Sequence, residues 1–186
     1  MTNHQQRSDV ERFDHPMVKA IAGFDADRQQ RAEFDSAFSA ATVEASRIGG
    51  EGACFGLMVC DIDSFELLNE RHGHHWGDSI IATIEQSLAQ AIPDGRMFRM
   101  GGRFVVLSGR CASVGAVKAV ADRVVAAGRV PGDPPGTGGP EGLTSISSGL
   151  VLLSPEVPLD VTWSRATDAM YVAKAEARGE WVMPED

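Results

Sequence analysis

The chain has 186 residues, 43% of them hydrophobic, enough to bury one full core and build one domain. Its formal charge of −9 argues against a nucleic-acid binder, because phosphate backbones are held by clustered Lys and Arg, and reads instead as a solubility device. Cys54, Cys60 and Cys111 are odd in number and lack any CxxC or Cys/His spacing, so no disulfide or zinc site is implied and reduced thiols in a cytosolic protein are expected.

Residues 1–22 form a polar N-terminal segment, and MTNHQQRSDVERFDHP has no apolar core of a leader peptide. No run approaches the roughly 18 apolar residues of a membrane span, so a cytoplasmic location without membrane contact is expected. Residues 23–186 read as a single domain without internal repeats. From about Arg28 to Ile48, Phe34, Phe38, Ala41 and Ala45 recur at helical spacing, and Gly49-Gly50 ends the helix. CFGLMVCDID follows as a buried strand, then a turn around RHGHHWGD, then a helix SIIATIEQSLAQAI whose Ile80, Ile81, Ile84 and Leu88 share a face.

FRMGGRFVVLSG, Phe98 to Gly109, reads as two apolar strands around a Gly-Gly hairpin turn that needs positive φ. SVGAVKAVADRVVAAG is a helix with Val114, Val117, Val120 and Val124 on one stripe, closed by Gly128. VPGDPPGTGGPEG, Val130 to Gly142, is too rich in Pro and Gly for a regular element and reads as a long surface loop. LTSISSGLVLL is a strand, and DVTWSRATDAMYVAKAEARG a helix for which Asp160 can serve as cap. The order α-β-α-β-β-α-β-α predicts an α/β fold with a central mixed β-sheet flanked by helices.

The chemistry concentrates in VCDIDSFELLNERHGHHWGD, Val59 to Asp78. Residues two apart in a strand face one side, so Asp61 and Asp63 are expected to present two carboxylates together, the oxygen ligands that Mg²⁺ or Mn²⁺ takes, or else to end the strand as a solvated turn. This run resembles the GGDEF domain of diguanylate cyclases, with Asp61, Asp63, Phe65, Asn69, Gly73, His74, Gly77 and Asp78 at matching positions. Downstream, SISSGL and ATDAMYVAKAEAR resemble further motifs of that family, where Tyr171, Lys174 and Arg178 match. The resemblance implies a nucleotidyl-cyclase, palm-like fold over roughly Arg28 to Arg178. It further implies a metal at Asp61, a guanine edge read by Asn69 and Asp78, and phosphates held by Lys174 and Arg178; Asp63 is the second candidate metal ligand and Phe65 a further candidate for nucleotide binding. A carboxylate accepts from the guanine N1 and N2 hydrogens, an Asn amide donates and accepts, and cations four apart on a helix share a face.

The sequence also departs from that pattern. The Gly-Gly pair of the family is followed by two acidic residues and Phe, whereas here the run is Gly101-Gly102-Arg103-Phe104. Placing Phe104 on the family's Phe requires a one-residue deletion, and placing it without a gap puts it on the metal-binding Glu. Either way that carboxylate is missing, which weakens the implied metal. The family's Lys after Phe is Glu66 here, a change that costs on the order of 2 kcal/mol against a phosphate about 4 Å away. No RxxD precedes the hairpin, so feedback by cyclic di-GMP is not implied, and of the family's N-terminal helix motif only QRAEF, Gln30 to Phe34, stands as a remnant. Arg103 either pairs with Asp61 or Asp63 and fills the metal's space, or points into water.

Three functions fit this pattern. The first is a degenerate GGDEF domain that binds a guanine nucleotide as a receptor or partner-binding module, with a protein partner or a homodimer as its context. The second is a metal-dependent enzyme transforming a nucleoside triphosphate through Asp61 and Asp63, and the third an interaction scaffold that keeps the fold alone.

Overall fold

A computed structural model describes residues 16–48, 54–134 and 142–184, with side chains of the first helix described from residue 28 to 47. The polar residues 1–15, the Gly49-Gly50 stop and the middle of the Pro/Gly loop lie outside the described residues. The elements run α1 (Pro16–Ile48), β1 (Gly56–Ile62), α2 (Phe65–His72), α3 (His74–Ala91), β2 (Arg96–Met100), β3 (Arg103–Leu107), α4 (Val114–Ala127), β4 (Val130–Pro131), β5 (Leu143–Thr144), β6 (Ile146–Leu152), α5 (Leu159–Glu176) and β7 (Trp181–Val182).

The strand order of the main sheet is β2-β3-β1-β6-β7, with β4 and β5 forming a separate two-stranded ribbon. The pairs β2/β3, β3/β1 and β1/β6 are antiparallel and β6/β7 is parallel, so the sheet is mixed as expected. β1 is central and buried on both faces, which explains why its sequence is a continuous apolar run without alternation. Met58, Cys60 and Ile62 face one core with Ile80, Ile84 and Leu88 of α3 and Val117, Val120 and Val124 of α4. Leu57 and Val59 face the other with Phe34 and Phe38 of α1 and Ala166 and Met170 of α5. Phe34 is fully buried, with its ring edge-on to Phe98 and Trp163 at 5.4 and 5.8 Å between centroids.

Several boundaries differ from the sequence reading. The first helix begins at Pro16, so the division between residues 22 and 23 falls inside it. Phe65–His72 is a helix of its own, and the next begins at His74 rather than Ser79, because Gly73 alone, at φ 84°, ends one helix and opens the other. Val114 is 37% exposed and lies off the buried stripe of α4. Gly128 has φ −77°, so it needs no left-handed backbone; its bare Cα instead admits Ile146, whose Cγ1 lies 2.3 Å from where a Cβ would stand. The C-terminal helix is preceded by Pro158, and Asp160 lies in its first turn, its carboxylate accepting from Val161 N at 3.0 Å. The start of the Pro/Gly stretch, β4, pairs with β5 just after its end, with Val130 opposite Thr144, so Leu143–Thr144 belong to this ribbon and β6 begins at Ile146.

Candidate functional site

The carboxyl end of β1 brings the motif residues together with the end of α5. Gly149 sets that packing: a Cβ there would stand 1.9 Å from Ala166 O and 2.5 Å from Met170 N, so α5 lies directly on β6. One turn beyond Met170, the Lys174 ammonium reaches Asp61 Oδ2 at 2.5 Å and donates to Ile62 O at 3.1 Å. α5 ends at Glu176, so Arg178 stands beyond the helix and does not share a helical face with Lys174. Its guanidinium donates to Ser64 Oγ at 2.6 Å. Ser64 precedes α2 with φ 54°, a left-handed conformation that is uncommon outside glycine, and its contact with Arg178 sets that guanidinium at the N-terminal end of α2.

Asp61 and Asp63 do not converge. Asp63 is 7% exposed, and its two oxygens accept from Ser145 Oγ at 2.5 Å and Ser147 Oγ at 2.7 Å, while its N–H donates to Ser145 O at 2.9 Å. Asp61 faces Lys174 instead. Among the described residues no three His, Cys, Asp or Glu side chains gather where they could hold a metal ion. At this end of β1 one carboxylate is paired with an ammonium and the other accepts a serine hydroxyl on each oxygen, so neither stands free for a divalent cation.

Arg103 neither pairs with these carboxylates nor points free into water. Gly101 and Gly102, at φ 57° and 81°, make a two-residue turn that places Arg103 opposite Met100 at the start of β3. From there its Nη2 donates to Tyr171 Oη at 2.6 Å, with the guanidinium 5.5 Å from the ring centroid. Phe104, the next residue, is fully buried and opposite Cys60 of β1. It thus occupies a core position of β3.

Asn69 of α2 packs against Gly77, the residue before Asp78, near where α2 and α3 join. Asn69 Oδ1 is buried and has no hydrogen-bond partner among the described residues, and it lies 2.0 Å from where a Cβ on Gly77 would stand, with Phe65 Cζ at 3.1 Å. Only glycine at 77 leaves room for the Asn69 amide, and Asp78 follows it exposed on α3. Glu66 is exposed in the first turn of α2.

On the other flank of α2, a cleft of about 470 Å³ is bordered by Ser64, Leu67, Arg71, Asp133, Ser145 and Arg178; neither Asn69 nor Asp78 lines it. His72 and Asp133 join across it at 2.7 Å, and Trp76 Nε1 donates to Gly132 O at 2.7 Å, tying the Pro/Gly stretch to α2 and α3. The Gly142 amide, then the His72 hydrogen bond, hold the Asp133 carboxyl below its ordinary range. These anchors, and the serines that saturate Asp63, escaped the sequence reading. The signal for the serines was present: Ser145 and Ser147 alternate in SISS, as same-face residues of a strand do.

Comparison with known proteins agrees with this architecture. The family described as "Diguanylate cyclase, GGDEF domain" matches residues 29–180, and the chain belongs to that family. It is 33% identical over 130 residues to "Cyclic di-GMP phosphodiesterase PdeR" of Escherichia coli K12, covering 68% of this chain and 19% of that protein. It is also 33% identical over 130 residues to "Diguanylate cyclase DgcZ" of the same organism, covering 66% of this chain and 41% of that protein. The chain thus spans less than half the length of these relatives. Among solved structures, the GGDEF domain of PA1120 (YfiN or TpbB) from Pseudomonas aeruginosa superposes with a TM-score of 0.70 at 26% identity, over 84% of this chain and 96% of that one. The GGDEF domain of DgcB from Caulobacter crescentus, in complex with c-di-GMP, shares the fold with a TM-score of 0.67 at 23% identity, over 82% of this chain and 89% of that one.

Proposed function

We propose that this GGDEF domain binds a guanine nucleotide and acts as a receptor or partner-binding module without making cyclic di-GMP. The observation that carries the reading is the Asn69 amide oxygen, buried against Gly77 with no partner among the described residues and with Asp78 next to Gly77 on α3. A buried acceptor left unpaired costs about 1–3 kcal/mol, and a ligand N–H that fills it recovers that cost. The guanine N1–H and N2–H₂ edge offers donors to both Asn69 and Asp78, which an adenine edge does not match. Arg178 beside the first turn of α2 supplies a place for phosphate.

The loss of cyclase activity follows from residues at the hairpin and from charge. The Gly101-Gly102 turn leads into Arg103, which stacks on Tyr171, so no carboxylate stands there to help hold a metal against the nucleotide phosphates. The saturation of Asp63 and the pairing of Asp61 weigh equally against the alternative of a metal-dependent hydrolase. Incubation with GTP and Mg²⁺ or Mn²⁺, followed by chromatography and a thermal-shift measurement, separates the readings. Unchanged GTP with a raised unfolding temperature supports a receptor. A new nucleotide product would make the protein an enzyme, and neither change would leave the fold as a scaffold.

A further inference from the structure

The Lys174 ammonium sits between the Asp61 carboxylate and the Ile62 carbonyl, at 2.5 and 3.1 Å. Those are the two kinds of oxygen that a hard divalent ion takes, at about 2.0–2.6 Å, so an ion bound to the same pair would need the space Nζ occupies. The helix that carries the ammonium is itself fixed in place. Gly149 seats α5 on the sheet, the Asp61 side chain is 31% exposed and that of Lys174 only 23%, and Tyr171, one turn earlier on α5, is engaged by Arg103. Asp63 is turned to the β6 side, each of its oxygens held by a serine hydroxyl.

We propose that Lys174 is the resident cation of this site, and that the site takes its guanine nucleotide without a divalent metal, as the mono- or diphosphate in preference to the triphosphate. The proposal rests on the guanine-nucleotide reading above for its ligand, but not for the role of Lys174. Lys174 is neutralised by Asp61, Arg178 stands at the N-terminal end of α2, and Glu66 lies in the first turn of that helix. Each added phosphate brings negative charge toward Glu66 with no metal to offset it.

Two measurements on the full chain test this. In the first, Mn²⁺ alone is titrated against wild type, Lys174→Gln and Lys174→Arg and followed by electron paramagnetic resonance. Removing the ammonium frees Asp61 and Ile62 O, so Lys174→Gln is expected to bind Mn²⁺ about tenfold or more tighter than wild type, while Lys174→Arg stays like wild type. Equal Mn²⁺ binding by wild type and Lys174→Gln, or tight binding by wild type that Asp61→Asn abolishes, would overturn the resident-cation role.

In the second, GMP, GDP and GTP are titrated calorimetrically into wild type with EDTA and with Mg²⁺. GMP or GDP is expected to bind more tightly than GTP, and to the same extent in both buffers. A gain of about tenfold with Mg²⁺, or GTP binding tightest, would overturn the metal-free preference. Binding of none of the three removes the guanine-nucleotide reading itself, and the Mn²⁺ titration then still decides what Lys174 does.

Discussion

Adding a single methyl group at Gly149 is expected to displace α5 and with it the cation of the site. A Cβ there would stand 1.9 Å from Ala166 O and 2.5 Å from Met170 N, both main-chain atoms of α5, which can yield only if the helix itself moves. The nearer contact falls about 1.5 Å short of ordinary van der Waals separation, a gap that no rotamer change closes. Overpacking of this kind costs about 1–3 kcal/mol. For a domain of this size each kcal/mol is worth about 2–4 °C, so Gly149→Ala is expected to lower the unfolding temperature by about 2–12 °C in a calorimetric scan. Gly115, whose added Cβ would meet only Ser113 Oγ at 3.6 Å, supplies a control of opposite sign. Gly115→Ala in α4 is expected to raise stability by up to about 1 kcal/mol through helix propensity. A Gly149→Ala protein melting within about 1 °C of wild type would refute the direct seating of α5 on β6 and the placement of Lys174 that depends on it.

Three other outcomes follow from the same structure. Asn69→Ala and Asp78→Ala are each expected to weaken GTP binding by about 1–3 kcal/mol and to erase its preference over ATP; calorimetry that finds equal affinities for the two nucleotides in wild type removes the base-reading role. Chromatography of GTP incubated with Mg²⁺ or Mn²⁺ is expected to show no cyclic di-GMP, and formation of it at a rate that Asp61→Ala abolishes would contradict the account of the Gly101-Gly102-Arg103 turn. Burial, more than any other influence, pushes the Cys60 thiol up to about 12 from an ordinary 9.0, with the Ser148 hydrogen bond lowering it and the Asp61 charge raising it. Its folded pKa being the higher one, its contribution to stability is intact below 9.0 and is lost as pH rises from there toward 12. Denaturant unfolding at about pH 8 and about pH 10.5 is expected to show a decline that Cys60→Ala flattens, and an unchanged slope in that variant would place the titration elsewhere.

Much of this protein was legible in the chain itself, because the physics involved is local. Apolar spacing marks α1, α3 and α4, and the unbroken run Gly56–Ile62 marks a strand buried on both faces. Gly101-Gly102 marks a tight turn, since both residues need the positive φ that glycine adopts without strain. The motif from Asp61 to Asp78 pointed to the family and to the end of β1 as the site. Short elements escaped: α2 has eight residues and β7 two, too few for a period to show. What only the tertiary structure decided is which charge meets which. Asp63 takes serines 82 and 84 residues away, Lys174 reaches a carbonyl 112 residues back, and Arg103 chooses Tyr171 68 residues on instead of either aspartate. Such pairings are set by strand register and by how closely a helix can approach a sheet, here at Gly149. Neither is written in the residues being paired, so sequence could name the charged groups of the site but not join them.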